Sequence, residues 1–136
     1  MSATPVEDAV ARVSLWRGED AKVSHLSGGL TNENYLVEVA GRRYVMRIPG
    51  QSTDLLSIDR ANEVYNTKAA AETGVGPRVL EHLPDLDVMV LEFIPGETMS
   101  ASTLGSEHMA LRMAASFRRL HAGRRFLKDF NMFRLI

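Results

Sequence analysis

The sequence predicts an α+β fold: a five-stranded antiparallel sheet with one helix packed across it, preceded by an N-terminal helix and followed by a helical segment. Three observations carry this expectation. Short strand-forming runs near 22–27, 34–39, 43–48, 78–83 and 87–93 are each bounded by turn residues. A helical pattern over Asp59–Glu72 interrupts them after the third run. Past Pro95-Gly96 the strand signals stop, and apolar residues recur at helical spacing instead.

The elements follow in order. Thr4-Pro5-Val6-Glu7 is a capping box with proline at the first helical position, so a helix is expected to run to Arg17 and stop at Gly18. Val6, Val10 and Val13 form its apolar stripe, completed by Leu15 or Trp16. The second and third strands turn at Ala40-Gly41-Arg42, and the last two at Leu83-Pro84-Asp85-Leu86. The helix between the pairs has Ser57 or Asp59 to cap it and Gly74 to end it. Its stripe of Ala61, Val64, Tyr65, Lys68 and Ala69 suits a sheet surface. Further on, Ser106 caps a helix to about His121, with Gly123 as its stop and Met109, Met113, Phe117 and Leu120 on one face. The end, from Phe126 to Ile136, is rich in apolar residues that would ordinarily be buried.

The chemistry concentrates between Lys22 and Ile48. Ser27-Gly28-Gly29 lets the backbone turn tightly and approach a ligand, because glycine has no Cβ. Thr31, Asn32 and Asn34 add hydroxyl and amide donors, and successive backbone N–H groups can cradle an anion. Arg47 offers a planar fork that matches phosphate geometry. Each part also has a plain reading. Two glycines can be a hairpin turn, although the connection here reads as longer than the about two to five residues most hairpins use. A lone arginine can be a solvated strand residue. Yet the period of two puts Arg47 beside Val45, opposite Tyr44, Met46 and Ile48, and a charge on that face calls for a partner. Glu63, one turn inside the helix, is the expected partner that orients the guanidinium. Read plainly, Glu63 is a surface carboxylate.

Val90-Leu91-Glu92-Phe93-Ile94 runs into Pro95-Gly96, which ends sheet pairing because proline cannot donate. The carbonyl of Glu92 and the N–H of Ile94 are then left for another partner, as at any boundary between strand and turn.

The ordered series Ser27-Gly28-Gly29-Leu30-Thr31-Asn32-Glu33-Asn34-Tyr35, Tyr44-Val45-Met46-Arg47-Ile48-Pro49-Gly50, Ile58-Asp59-Arg60 with Glu63, Gly74-Val75-Gly76-Pro77 and Leu91-Glu92-Phe93-Ile94-Pro95-Gly96 resembles choline and ethanolamine kinases, within the broader aminoglycoside phosphotransferase group. Arg47 stands where protein kinases carry their phosphate-binding lysine. The resemblance runs over about residues 20 to 133 and implies a kinase-like N-lobe. Residues 1–96 would be the nucleotide-binding lobe with its hinge, and 97–136 the start of a helical C-lobe. It implies ATP and Mg²⁺ as cofactors and a small hydroxyl-bearing acceptor, with choline or ethanolamine favoured over aminoglycosides, thiamine or sugars. Ser27, Gly28, Gly29, Thr31, Asn32, Asn34, Arg47, Glu63, Glu92 and Ile94 would form the nucleotide site, with the Glu92 carbonyl and the Ile94 N–H meeting a purine edge.

The family's catalytic half is expected to lie past Ile136. His121 is followed by Ala122-Gly123 and so is not the histidine of a His-x-Asp loop. Asp129-Phe130-Asn131 superficially resembles an Asp-Phe-Gly metal motif, but no catalytic loop precedes it, and it reads as surface. Neither catalytic nor metal-binding residues are expected in 1–136, and this chain alone is expected to be inactive. Its exposed apolar end would favour self-association. The alternatives are a non-catalytic nucleotide-binding or regulatory lobe, or an interaction scaffold with a coincidental glycine loop.

Composition sets limits. At 136 residues, with 45% hydrophobic and 24% charged residues, the chain is long enough for a packed core. A net charge of −1 argues against a general nucleic-acid binder. With no cysteine there is no disulfide framework or thiolate metal site, and His25, His82, His108 and His121 lack metal-ligand spacing. Met1 to Val10 has no basic region followed by an apolar run, and nothing approaches a membrane span of roughly 20 apolar residues. The expected location is the cytoplasm.

Overall fold

The computed structural model describes residues 5–28, 32–50 and 59–128. The elements are α1 (Pro5–Arg12), a 3-10 turn (Ser14–Trp16), β1 (Lys22–Leu26), β2 (Asn32–Val39), β3 (Arg42–Pro49), α2 (Arg60–Glu72), β4 (Val79–Leu83), β5 (Val88–Glu92), α3 (Ala101–Leu104) and α4 (Glu107–His121). The chain divides into two compact units, Met1–Arg60 with Arg78–Phe93, and Ala61–Pro77 with Ile94–Ile136.

The first unit is built on the five-stranded sheet, in the order β1-β2-β3-β5-β4 with every pairing antiparallel. The β2–β3 hairpin closes through Ala40 and Gly41, with φ of 48° and 75°. Two positive φ values match the turn that suits twisted strands. Alternation along the strands then sorts the faces. Val37, Val39, Met46, Ile48, Val88 and Val90 are buried in one core with Ala9, Val13 and Trp16. Each such side chain contributes about 1.5–3 kcal/mol relative to exposure. The helix covering the sheet's core face is thus α1, with the 3-10 turn behind it.

That N-terminal segment differs from expectation. The helix stops at Arg12 instead of reaching Arg17, because Val13 turns extended at φ −68° and ψ 127°. The physical reason lies in Glu81 of β4. Its carboxylate accepts from the Ser14 N–H at 2.8 Å, the Ser14 hydroxyl at 2.9 Å and the Leu15 N–H at 3.1 Å. A carboxylate on the first N–H groups of a turn starts a new short helix there. The Trp16 Nε1–H donates back to the Val10 carbonyl at 2.9 Å, which folds the indole under α1. Arg12 also pairs with Asp85 in the β4–β5 turn. Thr4, half of the expected capping box, lies outside the described residues.

In the second unit, α2 ends where Gly74 takes φ 74°. Its expected stripe is only partly realised: Ala69 is buried, but Ala61 and Lys68 are exposed. Arg124 closes the distal segment onto α2, lying 4.4 Å from the Tyr65 ring and 3.0 Å from Glu72. The Leu127 N–H donates to Asn66 Oδ1 at 3.1 Å. Gly123 packs so tightly against the Thr73 methyl that a Cβ there would collide with it. Ser106 caps α4 as expected, accepting from the Met109 N–H at 3.2 Å. A short helix, α3, was not anticipated; Ser100 caps it. On α4, Met109, Met113 and Leu120 are half-buried, but Phe117 is 52% exposed, with its ring against His121.

Candidate functional site

On the sheet face opposite α1, β2 and β3 place amides against cations. Asn34 and Arg47 are direct cross-strand partners, and Arg47 Nε–H donates to Asn34 Oδ1 at 3.2 Å. On its other side Arg47 faces Met89 of β5, which is 2% exposed, so apolar packing flanks the half-buried cation. Two residues before Asn34, Asn32 opens β2, and Oδ1 of Asn32 accepts from Arg60 Nη1–H at 2.7 Å. Asn32 and Asn34 share one face, about 7 Å apart by the rise of a strand. Thus two guanidiniums, each engaging an amide oxygen, stand near the loop that joins β1 to β2.

The described part of that loop supports an approach to the backbone. Gly28 has φ 109°, a conformation that side-chain-bearing residues rarely adopt, and a Cβ there would meet no atom within 4 Å. Ser27 and Gly28 are exposed. Gly29 and Thr31 lie outside the described residues. One expectation needs correcting. β1 ends at Leu26 and β2 begins at Asn32, so residues 27–31 make a connection of ordinary hairpin length. Its length therefore carries no functional argument; its conformation and neighbours do.

The other site residues are more dispersed. Glu92 ends β5 in the first unit, and its N–H donates to the Arg78 carbonyl at 2.9 Å. Its side chain is taken by Arg78, whose Nε–H donates at 3.1 Å. That hydrogen bond, with a second from the Arg78 N–H, holds the Glu92 carboxyl below its usual range. Arg43 lies 4.2 Å from the centre of the Phe93 ring, bracing the strand end. Ile94 falls in the second unit and is 56% exposed. Glu63 is half-buried in the first turn of α2, also in the second unit, and its carbonyl accepts from the Thr67 hydroxyl at 2.8 Å. The structure thus joins Asn34 to Arg47 directly and Asn32 to Arg60.

Arg60 is the residue that sequence reasoning left out of the site. A signal was present: a cation at the first position of a helix opposes the helix dipole, which favours anions there. The second unit separately holds an open cavity of about 660 Å³, lined by Val75, Met99, Met109, Arg112, Met113 and Phe117 among others. Among the described residues no group of three His, Cys, Asp or Glu gathers to hold a metal. No described helix is long and apolar enough to cross a membrane.

A five-stranded antiparallel sheet with helices and a strand-borne cation beside a glycine turn is the architecture of a kinase-like N-lobe. The sequence profile of choline/ethanolamine kinase matches residues 23–127, and the chain belongs to that family. A crystal structure of a choline/ethanolamine kinase family protein from Mesorhizobium loti is 32% identical, with a TM-score of 0.76 over 97% of this chain and 44% of the other. The choline kinase LicA from Streptococcus pneumoniae shares the fold, at 21% identity and a TM-score of 0.75 over 96% of this chain and 46% of that one. LicA in complex with AMP superposes at a TM-score of 0.68 with 23% identity, covering 94% of this chain and 44% of that one. A probable choline kinase 3 from Arabidopsis thaliana is 27% identical over 111 residues, 76% of this chain and 31% of that protein. The chain therefore spans about a third of that relative and less than half of these solved structures.

Proposed function

We propose that this chain supplies the ATP-binding lobe of a small-molecule kinase that transfers the γ-phosphoryl group of ATP to the hydroxyl of choline, ethanolamine or a similar amino alcohol. The observation that carries the reading is the pairing of Arg47 with Asn34 on neighbouring strands; Gly28 with φ 109° in the connection that leads into β2 supports it. In this reading Arg47 grips phosphate oxygens through its planar fork, and Asn34 fixes the plane of that fork. Ser27, the two glycines, Thr31 and Asn32 present donors to the phosphates. Glu63 orients Arg47 from the side of α2, while the Glu92 carbonyl and the Ile94 N–H take the adenine edge. The AMP complex of LicA supports nucleotide use in this fold.

In the transfer the acceptor oxygen bonds to the γ-phosphorus as the bond to the β-phosphate oxygen breaks, releasing ADP and the acceptor's proton. Bound Mg²⁺ would neutralise phosphate charge, but among the described residues no group of three His, Cys, Asp or Glu fits a site for it. In this reading the base that takes the proton and the acceptor pocket lie outside the described residues. Residues 1–136 thus bind nucleotide without turnover. Leu111, Phe117 and Leu127, 52–66% exposed, associate with a second copy of the chain. Purified 1–136 is assayed for ATP consumption with choline, ethanolamine and aminoglycosides, and weighed by light scattering. The expected result is no turnover and a mass above the monomer; a monomer that phosphorylates any acceptor overturns this reading. A regulatory, non-catalytic lobe is the second reading, favoured if the complete open reading frame adds no catalytic loop.

A further inference from the structure

We infer that Arg60 is a second phosphate-binding cation, set in place by Asn32 as Arg47 is set by Asn34; this rests on the proposed function above. Four observations converge on it. Asn32 and Asn34 are two residues apart on β2, so their side chains leave the same face about 7 Å apart. Each engages one guanidinium, at 2.7 Å for Arg60 and 3.2 Å for Arg47. The two guanidiniums are thus held by separate amides of one strand face, and each can meet a different part of one extended anion. Next, Asn32 is four residues from Gly28 in sequence, so the contact holds Arg60 to the first residue of the strand that follows the glycine turn.

The third observation is the position of Arg60 as the first residue of the 13-residue α2. The positive end of the helix dipole disfavours a cation there, so an anion bound by Arg60 would relieve the cost. The fourth is burial. Arg60 is half-buried, as is Arg47, whereas most other arginines are exposed: Arg12, Arg17, Arg42, Arg43, Arg78, Arg112, Arg118, Arg119, Arg124 and Arg125. A partly desolvated guanidinium binds phosphate more strongly than a solvated one.

The division of labour has a readable consequence. Arg60 contributes to binding only where the nucleotide carries the outer phosphates, so it separates ATP from AMP. Calorimetric titration of the 136-residue chain with ATP and, separately, with AMP tests this on the native form, Arg60→Gln, Arg60→Lys and Asn32→Ala. Arg60→Gln should weaken ATP about tenfold and AMP less than about twofold, the loss expected for one charge-assisted contact. Arg60→Lys keeps the charge without the fork and should lose less; Asn32→Ala removes one of the contacts that hold the guanidinium and should lose ATP affinity in the same direction. Equal losses for ATP and AMP, or none in Arg60→Gln or Arg60→Lys, overturn the inference while leaving the nucleotide reading standing. Thermal melts of each variant show whether it is folded. A native chain that binds neither nucleotide overturns both together.

Discussion

The two units of this chain handle apolar surface in opposite ways. In the sheet unit, Met46, Val37 and Val90 are fully buried, and α1 with the 3-10 turn seals the face they share. In the helical unit, α3 and α4 bury no residue, and Leu111, Phe117 and Leu127 are more than half exposed. The difference teaches where the stability of the described chain resides. A sheet closed by its own leading helix holds β2 and β3 rigid, because both are packed on one face and hydrogen-bonded to a strand on either side. The contacts of the helical unit include polar and cation–π ones at the surface, such as Arg124 on Tyr65 and Glu72. Those are individually weak.

The largest expected effect sharpens that contrast. Met46→Ala removes a fully buried side chain and should cost about 2–5 kcal/mol, whereas Met113→Ala on half-buried α4 should cost less than about 1 kcal/mol. Urea unfolding of both variants measures it; equal losses would break the comparison. Next in size is the clamp of the leading helix. Glu81→Ala strips three hydrogen bonds from the 3-10 turn and should cost about 1 kcal/mol, in the range of a lost helix cap. Tryptophan fluorescence follows it through Trp16, the chain's single tryptophan. An unchanged spectrum and unfolding midpoint would detach Glu81 from the architecture.

The smallest effect is electrostatic. Glu92 and Asp85 are both held below their usual carboxyl range, Glu92 by Arg78 and Asp85 by Arg12. A depressed folded-state pKa adds stability above the ordinary values of 4.5 and 3.8 and loses it as pH falls through the lower folded value. Arg78→Gln should therefore flatten the acid limb by slightly lowering stability above the ordinary carboxyl range while leaving the acid limit unchanged, a small change because both partners are exposed. Acid titration by circular dichroism reads it, and an unaltered acid limb would remove the pair from the account.

Much of the architecture was legible because it rests on local signals. Strand alternation put Met46 and Ile48 in the core and Arg47 on the other face, and Gly74 and Ser106 marked helix ends through their own backbone and side-chain chemistry. The failures were non-local. Helix α1 was drawn too long because the carboxylate that ends it, Glu81, sits 67 residues away from Ser14. The glycine connection looked long because β2 begins earlier than β-propensity suggests: Asn32, a poor strand former, is drawn into β2 by pairing with Pro49. Arg60 escaped notice because its significance depends on Asn32 reaching it from another element. At the site, the sequence pointed to Asn34 and Arg47 separately, and the register made them partners.

The central claim is that Arg47 holds phosphate. Calorimetric titration with ATP of the native chain beside Arg47→Lys tests it most directly. Lysine keeps the charge but lacks the planar fork, so the account predicts saturable binding to the native chain and about tenfold weaker binding to the variant. Equal affinities in the two forms would contradict it.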